Sequence, residues 1–187
     1  MKRLMIIAAM ALVCAAASAQ PKFAHVNFQE IIQLMPEMDS ARVQTDAASK
    51  EANETYTVMV QEFQSKYQQF EQKQASWTPA VRESKQRELA EIQNRIQEFE
   101  GAIQQDLQSL QNQLMAPIYQ KAQTVVSDLA KAKGVIFVFD ASQVLYVDPA
   151  QSTDLTPEAR KALNIPEGRT LESLQAELQA RAAAAQQ

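Results

Sequence analysis

From Glu37 to about Gln74 the chain has neither glycine nor proline, and Ala52, Tyr56, Met59, Phe63, Tyr67 and Phe70 recur at steps of 4, 3, 4, 4 and 3. That period draws a narrow apolar stripe along a helix, with Gln, Glu and Lys on the remaining faces. A second stripe runs through Leu89, Ile92, Ile96, Phe99, Ile103, Leu107, Leu110 and Leu114. Between them stands Ser76-Trp77-Thr78-Pro79, in which the proline suits a first helical turn and the threonine a cap. Two stripes across a tight break predict an antiparallel helical hairpin, each stripe covering the other. Pro36 lies 41 steps before Trp77 and Pro117 lies 38 after Pro79, so both prolines fall at nearly the same height. At 1.5 Å rise per residue each arm reaches about 60 Å.

The flanks have other periods. Ala24, Val26 and Phe28 alternate with Phe23, His25 and Asn27, which predicts a strand over 23–28, followed by a short helix from Gln29 to Met35. After Pro117 the helical pattern resumes through Ile118, Ala122, Val125, Val126 and Leu129 and stops at Lys131, Lys133 and Gly134. Val135 to Phe139 and Val144 to Val147 are continuous apolar runs, predicting two strands joined at Asp140 to Gln143 and covered on both faces. Three short strands cannot bury such runs alone, and their open edges invite pairing, so self-association is expected. Val26, Phe28, Ile136, Phe137, Val138, Phe139 and Leu145 are the candidate oligomerisation residues. Asp154 to Glu158 reads as a capped helix start leading to Leu163. Leu171, Leu174 and Leu178 suit one further amphipathic helix, and Arg181 to Gln187 a frayed end.

The expected fold is therefore mainly α with a small β body: a long antiparallel coiled-coil hairpin inserted between an N-terminal strand and a C-terminal β-hairpin. The expected division is a body of 20–36 and 117–164, an arm of 37–116 with its tip near 75–80, and a tail of 165–187.

Composition adds the compartment. Lys2 and Arg3, an apolar stretch from Leu4 to Ala16 and then Ala17-Ser18-Ala19 have the order of a secretory signal peptide over 1–19. Its removal takes away Cys14, the single cysteine, and with it disulfide and thiol chemistry. It also leaves 16 of the 18 basic residues against 22 acidic ones, moving the formal charge from −4 to −6. Nucleic acid is a poor partner for such a chain, since phosphate neutralisation needs clustered Lys and Arg. His25 is the single histidine and has no Cys or acidic cluster at ligand spacing, so neither metal nor cofactor is expected. Asp148 and Asp154 lack the regular spacing of a calcium loop and suit turn and cap roles. With no nucleophile-and-base pattern and no glycine-rich phosphate loop, an enzyme is not expected.

The C-terminal third carries an ordered series. Leu114-Met115-Ala116-Pro117-Ile118-Tyr119-Gln120-Lys121 precedes Val135-Ile136-Phe137-Val138-Phe139-Asp140-Ala141, then Val147-Asp148-Pro149-Ala150, Asp154-Leu155-Thr156 and Lys161-Ala162-Leu163-Asn164. With the Ala24-His25-Val26-Asn27 strand, this resembles the OmpH/Skp family of periplasmic chaperones over roughly residues 22 to 164. The resemblance implies a homotrimer whose bodies assemble from three chains and whose helical arms surround a cavity. It further implies ATP-independent binding of unfolded outer-membrane proteins in the periplasm. The best-known members are strongly basic, whereas this chain is acidic.

Charge along the hairpin is uneven. Lys73, Arg82, Lys85 and Arg87 face only Glu83 between residues 73 and 87, while 37–72 holds seven acids against three bases. These four cations and Trp77 are the candidate client-contact residues, with transient lipid contact a further expectation for the tip. Trp77 equally suits packing of the turn. Tyr56, Phe63, Phe70 and Phe99 read as hairpin core. A passive coiled-coil spacer of the cell envelope is the alternative; it explains the hairpin but needs no body of apolar strands. An efflux-type adaptor would need larger β domains than the chain has room for. The leader reading predicts that the exported protein begins at Gln20, which intact-mass measurement checks; retained Met1 to Ala19, or lipid on Cys14, overturns it.

Overall fold

The computed structural model describes residues 22–185, so the signal-peptide expectation lies outside the described residues. The elements in chain order are β1 (Phe23–Val26), α1 (Phe28–Leu34), α2 (Pro36–Lys73), α3 (Pro79–Lys133), β2 (Phe137–Asp140), β3 (Ser152–Asp154), α4 (Thr156–Ala162) and α5 (Leu171–Ala185). They divide into two compact units: Glu37–Ile118, and the remaining described residues up to Pro36 and from Tyr119.

In the second of these units β1 is central, in the order β2-β1-β3, and pairs parallel with both neighbours. Phe23 stands opposite Phe137 and Ser152, and His25 opposite Phe139 and Asp154. The two-residue period sends Ala24 and Val26 into the core and leaves Phe23 and His25 half-buried. This corrects the expected β-hairpin. Val144 to Val147 forms no strand, and the edge of β1 is taken by Ser152–Asp154 instead. The turn is the reason. Asp140 Oδ1 accepts from the Ser142 N–H at 3.0 Å and its hydroxyl at 2.9 Å, winding Ala141–Gln143 into a 3-10 turn that does not fold the chain back along β2.

Phe28 is not in the strand but heads α1. Asn27 Oδ1 accepts from the Glu30 N–H at 3.2 Å, and Asn27 Nδ2 donates to Glu30 Oε2 at 3.0 Å, a reciprocal cap. The helix stops at Met35, whose ψ of 139 is the extended conformation imposed by the following Pro36. Seven residues are too few for a helix to hold alone. Burial holds it: Ile31, Ile32, Leu34 and Met35 are almost wholly enclosed, with Leu155, Ala159, Leu163 and Leu174 also in the core. Each such Ile or Leu contributes about 1.5–3 kcal/mol.

Arg160 on α4 joins three segments. Its Nη1 donates to Glu30 Oε1 on α1, and its Nη2 to the Pro166 carbonyl at 3.4 Å and the Arg169 carbonyl. The tail is thereby tied to α1, where Leu174 of α5 is buried. Thr170 and Ser173 cap α5 by exchanging N–H to hydroxyl bonds of 3.0 and 3.1 Å.

α3 runs without interruption through Pro117, where the sequence predicted a break. Proline removes one N–H donor, and the residues around it, Gln113, Ala116 and Pro117, are exposed, so water can satisfy the carbonyl left over. The helix ends as its composition predicts. Gly134 has φ 65, its N–H bonds to Lys131 O, and the Val135 N–H reaches Ala130 O at 3.0 Å, a left-handed glycine cap. Replacing Asn27 by Ala removes the α1 cap; the expected loss is about 1 kcal/mol, read as a lower Tm in thermal unfolding.

Candidate functional site

Within Glu37–Ile118, helices α2 and α3 lie antiparallel. Lys66 bonds to Glu88, Glu62 accepts from Arg95 at 3.0 Å, and Tyr56 meets Glu100, so partner numbers rise on one helix as they fall on the other. The predicted stripes face each other, but two helices enclose little. Ile92 and Ala52 are buried, while Tyr56, Phe63, Phe99, Ile103 and Leu107 are half-buried. Tyr67, expected in the seam, is 47 % exposed; it donates to Glu71 at 3.2 Å and stacks on Phe63. An open groove of about 620 Å³ lies between the helices, with Tyr56, Phe99, Ile103 and Leu107 in its walls.

The tip is ordered by local bonds. Ser76 Oγ donates to the Lys73 carbonyl at 2.8 Å, and Thr78 Oγ1 accepts from the Val81 N–H at 3.4 Å, the predicted cap. Trp77 is half-buried and sits edge-on to Phe70 at 5.8 Å, so it packs the turn. Of the candidate cations, Lys85 pairs with Glu88 at 2.7 Å and Arg87 with Glu83 at 3.6 Å. Lys73 and Arg82 are exposed and make no ion pair among the described residues. Two of the four cations are thus paired, Arg87 by the Glu83 already counted in the sequence and Lys85 by Glu88, which lies just beyond the stretch considered there.

The other candidate residues belong to the unit containing the sheet. Ile136, Phe137 and Phe139 are 56, 60 and 47 % exposed, and Leu145 is fully exposed. The expectation that this run is covered on both faces fails in the single chain, because β2 is an edge strand with its aromatic side open. There Phe23 stacks on Phe137 at 6.4 Å and lies tilted against Phe139 at 6.3 Å. Val26 is core and Val138 half-buried, so neither is displayed as Ile136, Phe137, Phe139 and Leu145 are. Phe28 is half-buried against Tyr119, ring centres 6.2 Å apart.

The family of OmpH-like outer membrane proteins matches residues 22–163. The chain belongs to the OmpH-like family. That is a chaperone family, and a similar fold is found in a Caulobacter crescentus protein described as a candidate outer membrane chaperone (OmpH-like). The two share 15 % identity at a TM-score of 0.69, over 78 % of this chain and 85 % of the other. No curated protein matches the chain. The family match ends before α5, the helix whose lead-in Arg160 ties down.

Sheet register also gathers residues that sequence reading left apart. His25 Nδ1 lies 2.9 Å from Ser152 Oγ, and His25 Nε2 lies 3.9 Å from Asp154 Oδ1. Asp154 Oδ1 accepts from the Thr156 N–H at 2.8 Å, which makes it a helix-start acceptor rather than an orienting partner for the imidazole. Asp148 Oδ1 likewise accepts from the Ala150 N–H at 2.9 Å, the turn role its sequence suggested. Nothing in the sequence foretold the cluster, since 127 residues separate His25 from Ser152. Among the described residues no helix is long and apolar enough to cross a membrane, and no group of acidic, His or Cys side chains is placed to hold a metal.

One carboxylate is clearly perturbed. Hydrogen bonds from Lys66 and then Lys85 lower Glu88 from 4.5 to about 2, and the bond to Glu88 in turn raises Lys66. Glu100 raises Tyr56 and Glu71 raises Tyr67, each chiefly by accepting its phenol proton. A carboxylate lowered on folding adds stability that is complete above its unfolded value and is lost as pH falls through the folded one. The hairpin's Tm should therefore decline as pH drops from 4.5 towards 2. Glu88→Gln should lower Tm at pH 7 and flatten that part of the decline, followed by circular dichroism.

Proposed function

We propose that the protein is an ATP-independent periplasmic holdase for unfolded outer-membrane proteins, working as a homotrimer with clients held between its helical arms. Family membership supports the chaperone role and a periplasmic setting. The observation that carries the assembly is the open aromatic face of β2, with Phe137 60 % exposed on an edge strand. A surface of that kind on a soluble unit marks an interaction site and is an aggregation hazard if left bare.

The hairpin supports the holding role. α2 has 38 residues, about 57 Å of helix, and its exposed faces are dominated by Gln, Glu and Lys. Unfolded barrel strands expose alternating apolar faces that aggregate by edge pairing. Keeping one client apart from the next suppresses that without strong contacts. Lys73 and Arg82, the unpaired tip cations, make the first contact with acidic clients or lipid phosphates. Such steering weakens with salt, and each exposed charge adds only about 0–1 kcal/mol.

The test is dilution of a urea-unfolded β-barrel protein into buffer with and without the chaperone, followed by turbidity. The protein should suppress aggregation without ATP, and replacing residues 50 to 105 by a short turn should abolish the effect. Full activity of the shortened protein would overturn the enclosure, leaving the role of passive spacer for the arms.

A further inference from the structure

The half of the hairpin nearer Pro36 carries a trough and a strong charge of one sign. Ser49 and Ala52 on α2 are too small to reach across to Phe99, Ile103 and Leu107 on α3, which leaves the open groove of about 620 Å³. Tyr56 closes one end of it by donating to Glu100. Past the other end follows a hollow of about 150 Å³, with Ala41, Thr45 and Leu114 in its walls. Asp46 of that hollow lies one turn before Ser49, and Gln111 one turn after Leu107, so the two spaces run along one side of the helix pair. From Ala41 to Tyr56 is about 22 Å of helix, room for roughly seven residues of extended chain.

Charge around this trough is one-sided. Residues 37–60 and 97–118 hold eight acids against two bases, a formal charge of −6. Both bases are engaged already, Arg42 with Asp39 at 3.0 Å and Lys50 with Glu54 at 3.9 Å. Asp46 and Glu100 stand exposed on the rim. We propose that the trough seats an extended segment of unfolded client in which apolar residues alternate with lysine or arginine. Successive side chains of an extended chain point to opposite sides, so the apolar set enters against Phe99, Ile103 and Leu107. The cations turn outward, and their long stems carry the charge to the carboxylates on the rim. Barrel strands have this alternation, with polar residues on the lumen side. The tip offers cations and the trough anions, which gives one arm separate places for acidic and for basic stretches of the same client. This inference rests on the holdase reading above and names what the arms hold.

The probe is a fluorescent peptide of about eight residues alternating valine and lysine, compared with its valine and glutamate counterpart. Each is titrated by anisotropy into the full-length exported protein. The lysine peptide should bind about tenfold more tightly at low salt, and high salt should narrow the gap. Asp46→Asn combined with Glu100→Gln should narrow it in the same way. Ser49→Phe changes no charge but fills the trough; it should weaken the lysine peptide about tenfold while circular dichroism shows helix content unchanged. In the unmodified protein, a benzophenone at the centre of the lysine peptide should label residues within 49–56 or 99–107, mapped by mass spectrometry. Equal affinity for the two peptides refutes the preference for cations. Labelling confined to other segments, or a folded Ser49→Phe protein that binds as tightly as the unmodified one, refutes the trough, and suppression of client aggregation in that event leaves the holdase standing. A peptide bound in the trough of a protein that suppresses no aggregation overturns the holdase and keeps the trough as a peptide site.

Discussion

A pair of helices shares a single face, so much of each helix stays in water whatever its sequence, and the hairpin is organised around that limit. The apolar stripes meet, but their large members Tyr56, Phe63, Phe99 and Leu107 are only half-covered. What the shared face cannot bury is offset near the tip by cross-helix polar contacts. Glu88 accepts from Lys66 across the pair and Arg95 reaches Glu62, while Trp77 closes the turn on Phe70. Nearer Pro36 the α2 side of the seam is made of small residues, Ala41, Thr45, Ala48 and Ala52, and the groove beside Tyr56 stays open.

The sheet faces the same shortage in another form. Three strands of three or four residues have one side on helices and one side open. The covered side is well made, with Ala24 and Val26 against a core of Ile31, Ile32, Leu155 and Leu163. The open side carries Phe23, Phe137 and Phe139 clustered together, Phe137 stacked on both of the others. Arg160 shows how the unit compensates on its other flank, where one guanidinium joins Glu30 to the carbonyls leading into α5. α5 extends the unit beyond the span that the family model matches.

Several features were legible from neighbouring residues alone. The helical stripes, the break at Trp77, the Thr78 cap and the Gly134 stop each depend on contacts within a turn or two, and the structure has all of them. The Asn27 and Glu30 cap was equally legible, three residues apart, but the alternation of Ala24, Val26 and Phe28 drew the strand two residues too far, through the cap and into the helix. The helical pattern reads as resuming after Pro117, whereas α3 continues through it, with exposed residues around the proline where water can satisfy the freed carbonyl.

The sequence by itself determined the helical hairpin, its turn and its ends, because helix periodicity and capping are satisfied by groups a few residues apart. Tertiary structure decided which segment pairs with β1. Val144 to Val147 has the composition of a strand, but Ser152 to Asp154 occupies the edge, because pairing depends on where the Asp140 turn and the start of α4 bring the backbone. It also decided that Glu88 lies between two lysines, and that His25 meets Ser152 across 127 residues. Apolar composition says that a residue prefers to leave water; it does not say which surface will cover it. Phe137 and Leu145 are left exposed by the fold of their own chain.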